Sequence, residues 1–212
     1  PFCNASEEKA DTSTIISCCC FNARSLCNKL PELHHMLYAE KYKMLLVNET
    51  WLHSGISSGL LDPESHYYVL RKDRNKSNTG GGGVCAFVSR DLHIKSVDID
   101  ERYNSLEILI YDLLCYDSNI RFFTVYRPPY RDIITVYRPP YRDITAVRYL
   151  QLLIECLEVY ASCNQTNVIV GDFNIPSIDW SRLNSPDDNF NRPFMNFTIE
   201  HGFFQCVKFA TR

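Results

Sequence analysis

"NVIVGDFNIP", residues 167–176, holds the most informative pattern in the chain. An apolar run, Val168-Ile169-Val170, ends at Gly171 and is followed at once by Asp172 and Asn174. The run predicts a buried strand, and the tip of such a strand is where α/β proteins display catalytic groups on a rigid base. A surface loop would hold the same two residues by chance. The choice between these interpretations depends on whether other strands end in the same way.

Composition predicts a globular intracellular protein. The chain has 212 residues, 45% of them hydrophobic, and a formal net charge of −3, so any nucleic-acid contact must come from local basic patches. No apolar stretch approaches the roughly 20 residues that span a bilayer, and the N-terminus lacks a secretion signal. The ten cysteines include three in a row and no CxxC pair, which favours mostly buried, reduced thiols over a disulfide framework or a zinc site. We therefore expect neither secretion nor membrane association.

Hydrophobic periodicity predicts strands separated by helices, the pattern of an α/β protein with parallel or mixed sheets covered by helices. Residues 1–13 are polar and are expected to be loose, and a single domain is expected over 14–212. The predicted strands are 14–22, 43–50, 66–70, 83–89, 92–99, 105–116, 120–126, 167–171 and 203–207. The predicted helices are 25–42, 145–161 and 190–201.

A tandem duplication interrupts this order. "TVYRPPYRDII" (124–134) is followed directly by "TVYRPPYRDIT" (135–145), a near-identical copy of eleven residues. Two short, Pro-rich units cannot build a repeat architecture. We interpret the second copy as a loop extension, which costs little because loop-closure entropy grows slowly with length.

Polar residues recur where predicted strands end: Asn22, Glu49, Tyr126, Asp172 and Asn174. Each has an ordinary explanation taken alone, such as an Asx turn for Asn22 or an amphipathic rim position for Tyr126. Together they are expected to converge on one rim of the sheet layers. Carboxylate and amide oxygens suit Mg²⁺, an Asp can orient or deprotonate a water, and Asn and Tyr can donate to a phosphoryl oxygen. The predicted chemistry is metal-assisted hydrolysis of a phosphate ester.

The ordered motifs resemble those of a known family. "FNARSL", "NETWL", "GGGGVCAFV", "TVYRPP" and "VIVGDFNIP" resemble the endonuclease/exonuclease/phosphatase superfamily, in particular the apurinic-endonuclease-like domain of non-LTR (LINE-type) retrotransposons. The resemblance covers about residues 14–210. It implies a four-layer α/β sandwich, with two central mixed β-sheets flanked by helices and the active site at one rim.

The resemblance also implies roles for individual residues. Glu49 is the expected principal Mg²⁺ ligand, with Asn22 beside it in the metal and phosphate shell, and Mn²⁺ is a possible substitute. Asp172 is expected to orient the nucleophilic water and Asn174 to hold the scissile phosphate. The motif tyrosine, which would stabilise the transition state, is Tyr126 or Tyr137, because both duplicated copies contain "TVYRPP". We favour Tyr126, because the unbroken strand "IRFF" leads into it.

The implied function is a Mg²⁺-dependent DNA endonuclease that nicks target DNA for retrotransposition, nuclear in action and fused to a reverse transcriptase in a parent polyprotein. No other protein partner is predicted. Family members continue with a further Asp and a Ser-Asp-His motif that this sequence lacks, so we expect a C-terminally incomplete domain with impaired activity. Two alternatives stay open: an inactive remnant with weak or no DNA binding, and a phosphatase or phosphodiesterase of the same superfamily.

"RKDRNK" (71–76) and the loop arginines are candidate DNA-phosphate contacts, although alternating charges are often simply solvated. These arginines are Arg127, Arg131, Arg138 and Arg142.

Overall fold

The computed structural model describes residues 15–74, 81–116, 118–129, 142–161, 164–186 and 191–207. Eight strands form two sheets: β1 Cys18–Asn22, β2 Met44–Asn48, β3 Tyr67–Lys72, β4 Val84–Ser89, β5 Ile94–Ser96, β6 Glu107–Leu113, β7 Ile120–Tyr126 and β8 Thr166–Asp172. The α-helices are α1 Leu30–His34, α2 Ser58–Leu61, α3 Arg142–Tyr160 and α4 Asn191–Glu200. Short 3-10 turns at Cys27–Lys29 and Glu101–Tyr103 and a π-helical turn at His35–Ala39 complete the set. The expected loose segment 1–13, the second duplicated copy through residue 141 and Tyr137 lie outside the described residues.

Both sheets are mixed. The first has the order β1-β2-β4-β3, with β1 and β2 parallel and the other pairs antiparallel. The second has the order β5-β6-β7-β8, with β7 and β8 parallel and the other pairs antiparallel. Each sheet thus has a parallel strand pair at one edge, and parallel strands deliver their C-terminal residues to a common edge.

Three apolar clusters show that the molecule has four layers. Between the sheets, Met44 and Leu46 of β2 meet residues of the second sheet such as Tyr111. On the outer face of β2, Leu45 and Val47 pack against the N-terminal helical segment. Side chains on successive strand residues point to opposite faces, which is why the run 44–47 is apolar throughout. The outer face of the second sheet is covered by α3 and α4.

The predicted fold class, two mixed sheets flanked by helices, is confirmed. No helix in the described part of the chain is long and apolar enough to cross a bilayer.

Two sequence predictions are wrong. Residues 203–207 do not form a strand, because the chain closes α4 in a Schellman-type turn, with Gly202 at φ +67° and the Phe203 amide donating to Thr198. Phe203 then packs against Phe197, with ring centroids 5.5 Å apart, and residues 204–207 are exposed. Among the described cysteines, which are free thiols, only two are buried, because edge strand β1 leaves Cys18 and Cys20 exposed. The buried ones are Cys85 and Cys156.

Candidate active site

Four of the predicted site residues lie at the same rim, two from each sheet. Asn22 is the last residue of β1 and Glu49 directly follows β2. Tyr126 and Asp172 are the last residues of β7 and β8, and they are register partners in that parallel pair. The two parallel edges therefore bring their C-terminal ends together, as the sequence pattern predicted.

Hydrogen bonds join these residues across the two sheets. The Asn22 amide nitrogen donates to Glu49 Oε1 at 2.5 Å and to Asp172 Oδ2 at 3.4 Å. The Tyr126 hydroxyl donates to the same Glu49 oxygen at 3.2 Å. We call Asn22, Glu49, Tyr126 and Asp172 the rim cluster. It brings two carboxylates, one from each sheet, within hydrogen-bond reach of the same amide.

The loop after β2 adopts an unusual backbone conformation at the cluster. Glu49 has φ +51° and Trp51 has φ +54°, a region that side chains of this size rarely occupy. The Glu49 carbonyl accepts from the Ser25 amide at 3.0 Å, and the Thr50 carbonyl accepts from Leu26 at 2.9 Å. Strain of this kind persists only where the surroundings enforce it, and it concentrates at functional sites.

Asn174 lies beside the rim cluster, but its side chain bonds away from it. Its backbone amide donates to Asp172 Oδ1 at 3.2 Å, and its side-chain nitrogen donates to the Arg127 carbonyl at 2.6 Å. Its φ of +50° forms the tight turn that follows β8. The expected contact between Asn174 and a phosphate therefore stays a prediction.

Gly171 is required by the strand pairing that presents Asp172. A Cβ at this position would lie 1.8 Å from the Val125 carbonyl oxygen of β7. Only glycine allows β7 and β8 to approach this closely at the point where both reach the rim. The close packing of β7 against β8 thus explains why glycine precedes the "DFN" residues.

Arg127 is a site residue whose role sequence reasoning missed. It was a candidate DNA contact, yet it is only 3% exposed. Its Nη1 donates to the carbonyls of Phe173 and Asn174 at 3.1 Å each, and its amide donates to the Asp172 carbonyl at 2.9 Å. Burial lowers the pKa of this guanidinium. Arg127 therefore orders the loop that carries Asp172 and Asn174, and the signal was its place directly after the "TVY" strand.

Arg71 and Arg74 also form ion pairs within the protein. Arg71 forms a two-bond ion pair with Asp73, and Arg74 Nε lies 2.5 Å from Glu107 Oε1. Neither the DNA-contact nor the solvated interpretation describes them, because both arginine side chains are only 15% exposed. Residues 75–80, 131 and 138 lie outside the described residues.

The six histidines make their described contacts away from the rim cluster. For example, His34 contacts the Leu60 carbonyl, and His201 contacts the Phe197 carbonyl. None of these contacts supplies the cluster with an imidazole.

The rim cluster suits a hard divalent cation. Within the described residues no three His, Cys, Asp or Glu side chains are grouped as a dedicated metal cage. Two carboxylates nonetheless match Mg²⁺, which commonly binds one or two carboxylates together with waters and substrate phosphates. The Asn22 side-chain nitrogen faces the carboxylates, and its Oδ1 accepts from the Arg24 backbone amide at 3.2 Å. The Asn22 side-chain amide must therefore rotate before Oδ1 can bind a cation.

Comparisons with known proteins concern the family and the fold of the chain. Residues 120–212 match the family described as endonuclease-reverse transcriptase. No curated protein matches the chain by sequence.

Solved structures share the fold. An AP endonuclease from Archaeoglobus fulgidus has 14% identity and a TM-score of 0.59, over 88% of this chain and 71% of that one. The endonuclease domain of TRAS1, a telomere-specific non-LTR retrotransposon, has 16% identity and a TM-score of 0.55, over 86% and 70%. The 3' phosphatase NExo from Neisseria has 12% identity and a TM-score of 0.57, over 88% and 71%. The resemblance inferred from the sequence is confirmed by the family match and by this shared fold.

Proposed function

We propose that this chain is a Mg²⁺-dependent DNA endonuclease domain of the non-LTR retrotransposon type. The observation that carries the proposal is the rim cluster, in which two carboxylates, an amide and a tyrosine hydroxyl from both sheets meet at one rim. The match of residues 120–212 to the endonuclease-reverse transcriptase family supports DNA as the substrate and a reverse transcriptase as a fused neighbour. A role in nicking nuclear DNA follows from the same proposal.

Each residue has a chemical task in the proposed reaction. Glu49, with Asn22 beside it, would hold the cation, and a bound cation would supply positive charge to a phosphate oxygen. Asp172 orients the attacking water and accepts its proton as the new P–O bond forms. The P–O bond to the leaving ester oxygen breaks, and that oxygen takes a proton from solvent water. Tyr126 and Asn174 donate hydrogen bonds to the phosphate oxygens as negative charge develops on them. Arg127 keeps the Asp172 loop in place and touches no substrate.

Nicking of supercoiled plasmid by the purified chain tests the proposal. We expect Mg²⁺-dependent conversion to the open-circular form that EDTA stops and that Asp172→Ala abolishes. Asp179→Ala is the control, because the Asp179 side chain is 41% exposed and bonds only locally, to Ser181 and Arg182 among its described side-chain contacts. A folded chain that nicks no more than Asp172→Ala would instead establish the inactive-remnant alternative.

The phosphatase alternative has its own observation and its own assay. The 3' phosphatase NExo shares the fold, so the site geometry alone is compatible with phosphate monoesters. A DNA oligonucleotide with a 3' phosphate should stay intact under conditions in which the plasmid is nicked. Release of phosphate without nicking would favour the alternative.

A further inference from the structure

Glu107 lies next to the rim cluster and has no part in the proposed chemistry. It begins β6 and is the register partner of Tyr126 across the β6–β7 pair. The side chain is buried, and burial raises the pKa of its carboxyl. A buried carboxyl at this place needs partners, because an unpaired charge in the interior is costly.

Its two oxygens bind two different elements. Oε1 accepts from Arg74 Nε, which extends from the segment after β3, at 2.5 Å. Oε2 accepts from the backbone amide of Gly83, just before β4. The Arg74 guanidinium also lies over the Tyr126 ring, 5.8 Å from its centroid. Glu107 thus holds the arginine that lies over the tyrosine of the rim cluster.

Residues 81–83, which we call the glycine loop, connect Glu107 to the strained loop at Glu49. The carbonyls of Gly82 and Gly83 accept from the amides of Trp51 at 2.9 Å and Thr50 at 3.3 Å. Gly82 and Gly83 have φ +74° and +84°, and a Cβ on Gly82 would meet the Arg74 guanidinium at 2.2 Å. Side chains are therefore excluded where this loop passes between Arg74 and Thr50.

We infer that Glu107 is a positioning residue, which through Gly83 and Arg74 holds the backbone of residues 49–51, with positive φ at Glu49 and Trp51, and fixes the Tyr126 ring. Two side chains bond Glu49 Oε1, those of Asn22 and Tyr126. Glu107 orders the second of them, together with the backbone from which the Glu49 side chain extends. The consequence for metal binding rests on the proposed function. The consequence for the backbone of residues 50 and 51 does not.

Glu107→Gln tests the inference with nearly the same side-chain volume. Both partners of Glu107 are N–H donors, so a neutral amide can accept from one and must turn its own N–H towards the other. The matched control is Asp112→Asn, farther along β6, which disrupts the two-bond pair of Asp112 with Arg121 on β7 by the same logic. Both pairs are shielded from solvent, so a general loss of stability should appear in both variants.

Two measurements separate positioning from general destabilisation. Amide hydrogen exchange at Thr50 and Trp51 should accelerate roughly tenfold or more in Glu107→Gln and stay as in the wild type in Asp112→Asn. Mn²⁺ affinity, measured by the loss of the free-ion EPR signal, should fall about 10–100-fold in Glu107→Gln alone. If Glu107→Gln does not fold, Arg74→Gln replaces it, with the same direction of change expected.

The outcomes are distinguishable. Wild-type exchange at Thr50 and Trp51 in a folded Glu107→Gln variant, or the same acceleration in Asp112→Asn, would overturn the inference. Faster exchange at these amides in Glu107→Gln alone, in a wild-type chain that binds no Mn²⁺, would uphold the positioning role and remove support for the proposed metal-dependent function.

Discussion

Replacement of Arg127 by methionine should separate the ordering of the Asp172 loop from its chemistry. Methionine keeps much of the apolar volume but removes both bonds from Nη1 to the carbonyls of Phe173 and Asn174. Hydrogen bonds to charged groups contribute about 1.5–3 kcal/mol each, and relief of guanidinium burial offsets part of this, so the expected loss is about 2–4 kcal/mol. At roughly 2–4 °C per kcal/mol for a chain of this size, the melting temperature should fall by about 5–15 °C.

Activity should fall further than stability explains. Displacement of a catalytic loop by about 1 Å can reduce a rate roughly 100-fold, so we expect a loss of that order in plasmid nicking, measured well below the melting temperature. The control is Arg121→Met near the start of β7, about 20 Å from Arg127 at roughly 3.3 Å per residue. Arg121 forms a pair with Asp112 and a bond to the Tyr160 carbonyl, so its loss should destabilise the fold and leave nicking intact. Full nicking activity in a folded Arg127→Met variant would refute the ordering role.

Three further predictions concern the rim. Gly171→Ala should lower the free energy of unfolding in urea by more than about 3 kcal/mol, because its Cβ would overlap the Val125 carbonyl. Gly202→Ala, whose Cβ would have nothing within 4 Å, should cost only about 1–2 kcal/mol, the usual cost of an alanine in the left-handed region. Equal losses in the two variants would contradict the packing argument. Tyr126→Phe should lower the nicking rate about 100-fold, the typical effect of removing one hydrogen-bond donor to the transition state, with little change in melting temperature. Unchanged nicking would favour Tyr137 as the motif tyrosine. Chelation by EDTA should stop nicking, and either Mg²⁺ or Mn²⁺ added back should restore it; nicking that survives chelation would exclude the proposed use of a metal.

Most elements of the fold followed from the sequence because their patterns are local. The run at 44–47 is apolar at every position, which marks a strand buried on both faces, and "VIVGD" marks another strand with its polar end. The predicted strand at 203–207 failed because a strand needs a neighbouring edge, whereas here a Schellman-type turn and the Phe197 ring determine the path.

By itself, the sequence determined the alternation of strands and helices and which residues lie at the ends of strands: Asn22, Glu49, Tyr126 and Asp172. The four-layer arrangement came from the family resemblance. Only the tertiary structure decided which charged residues order the site. Arg127, Arg74 and Glu107 belong to segments that read as surface loop or strand, and each is committed to partners more than 20 positions away in the chain. Local sequence patterns do not predict such partners, because a buried charge is stabilised by whichever carbonyl, amide or carboxylate the packed layers place beside it.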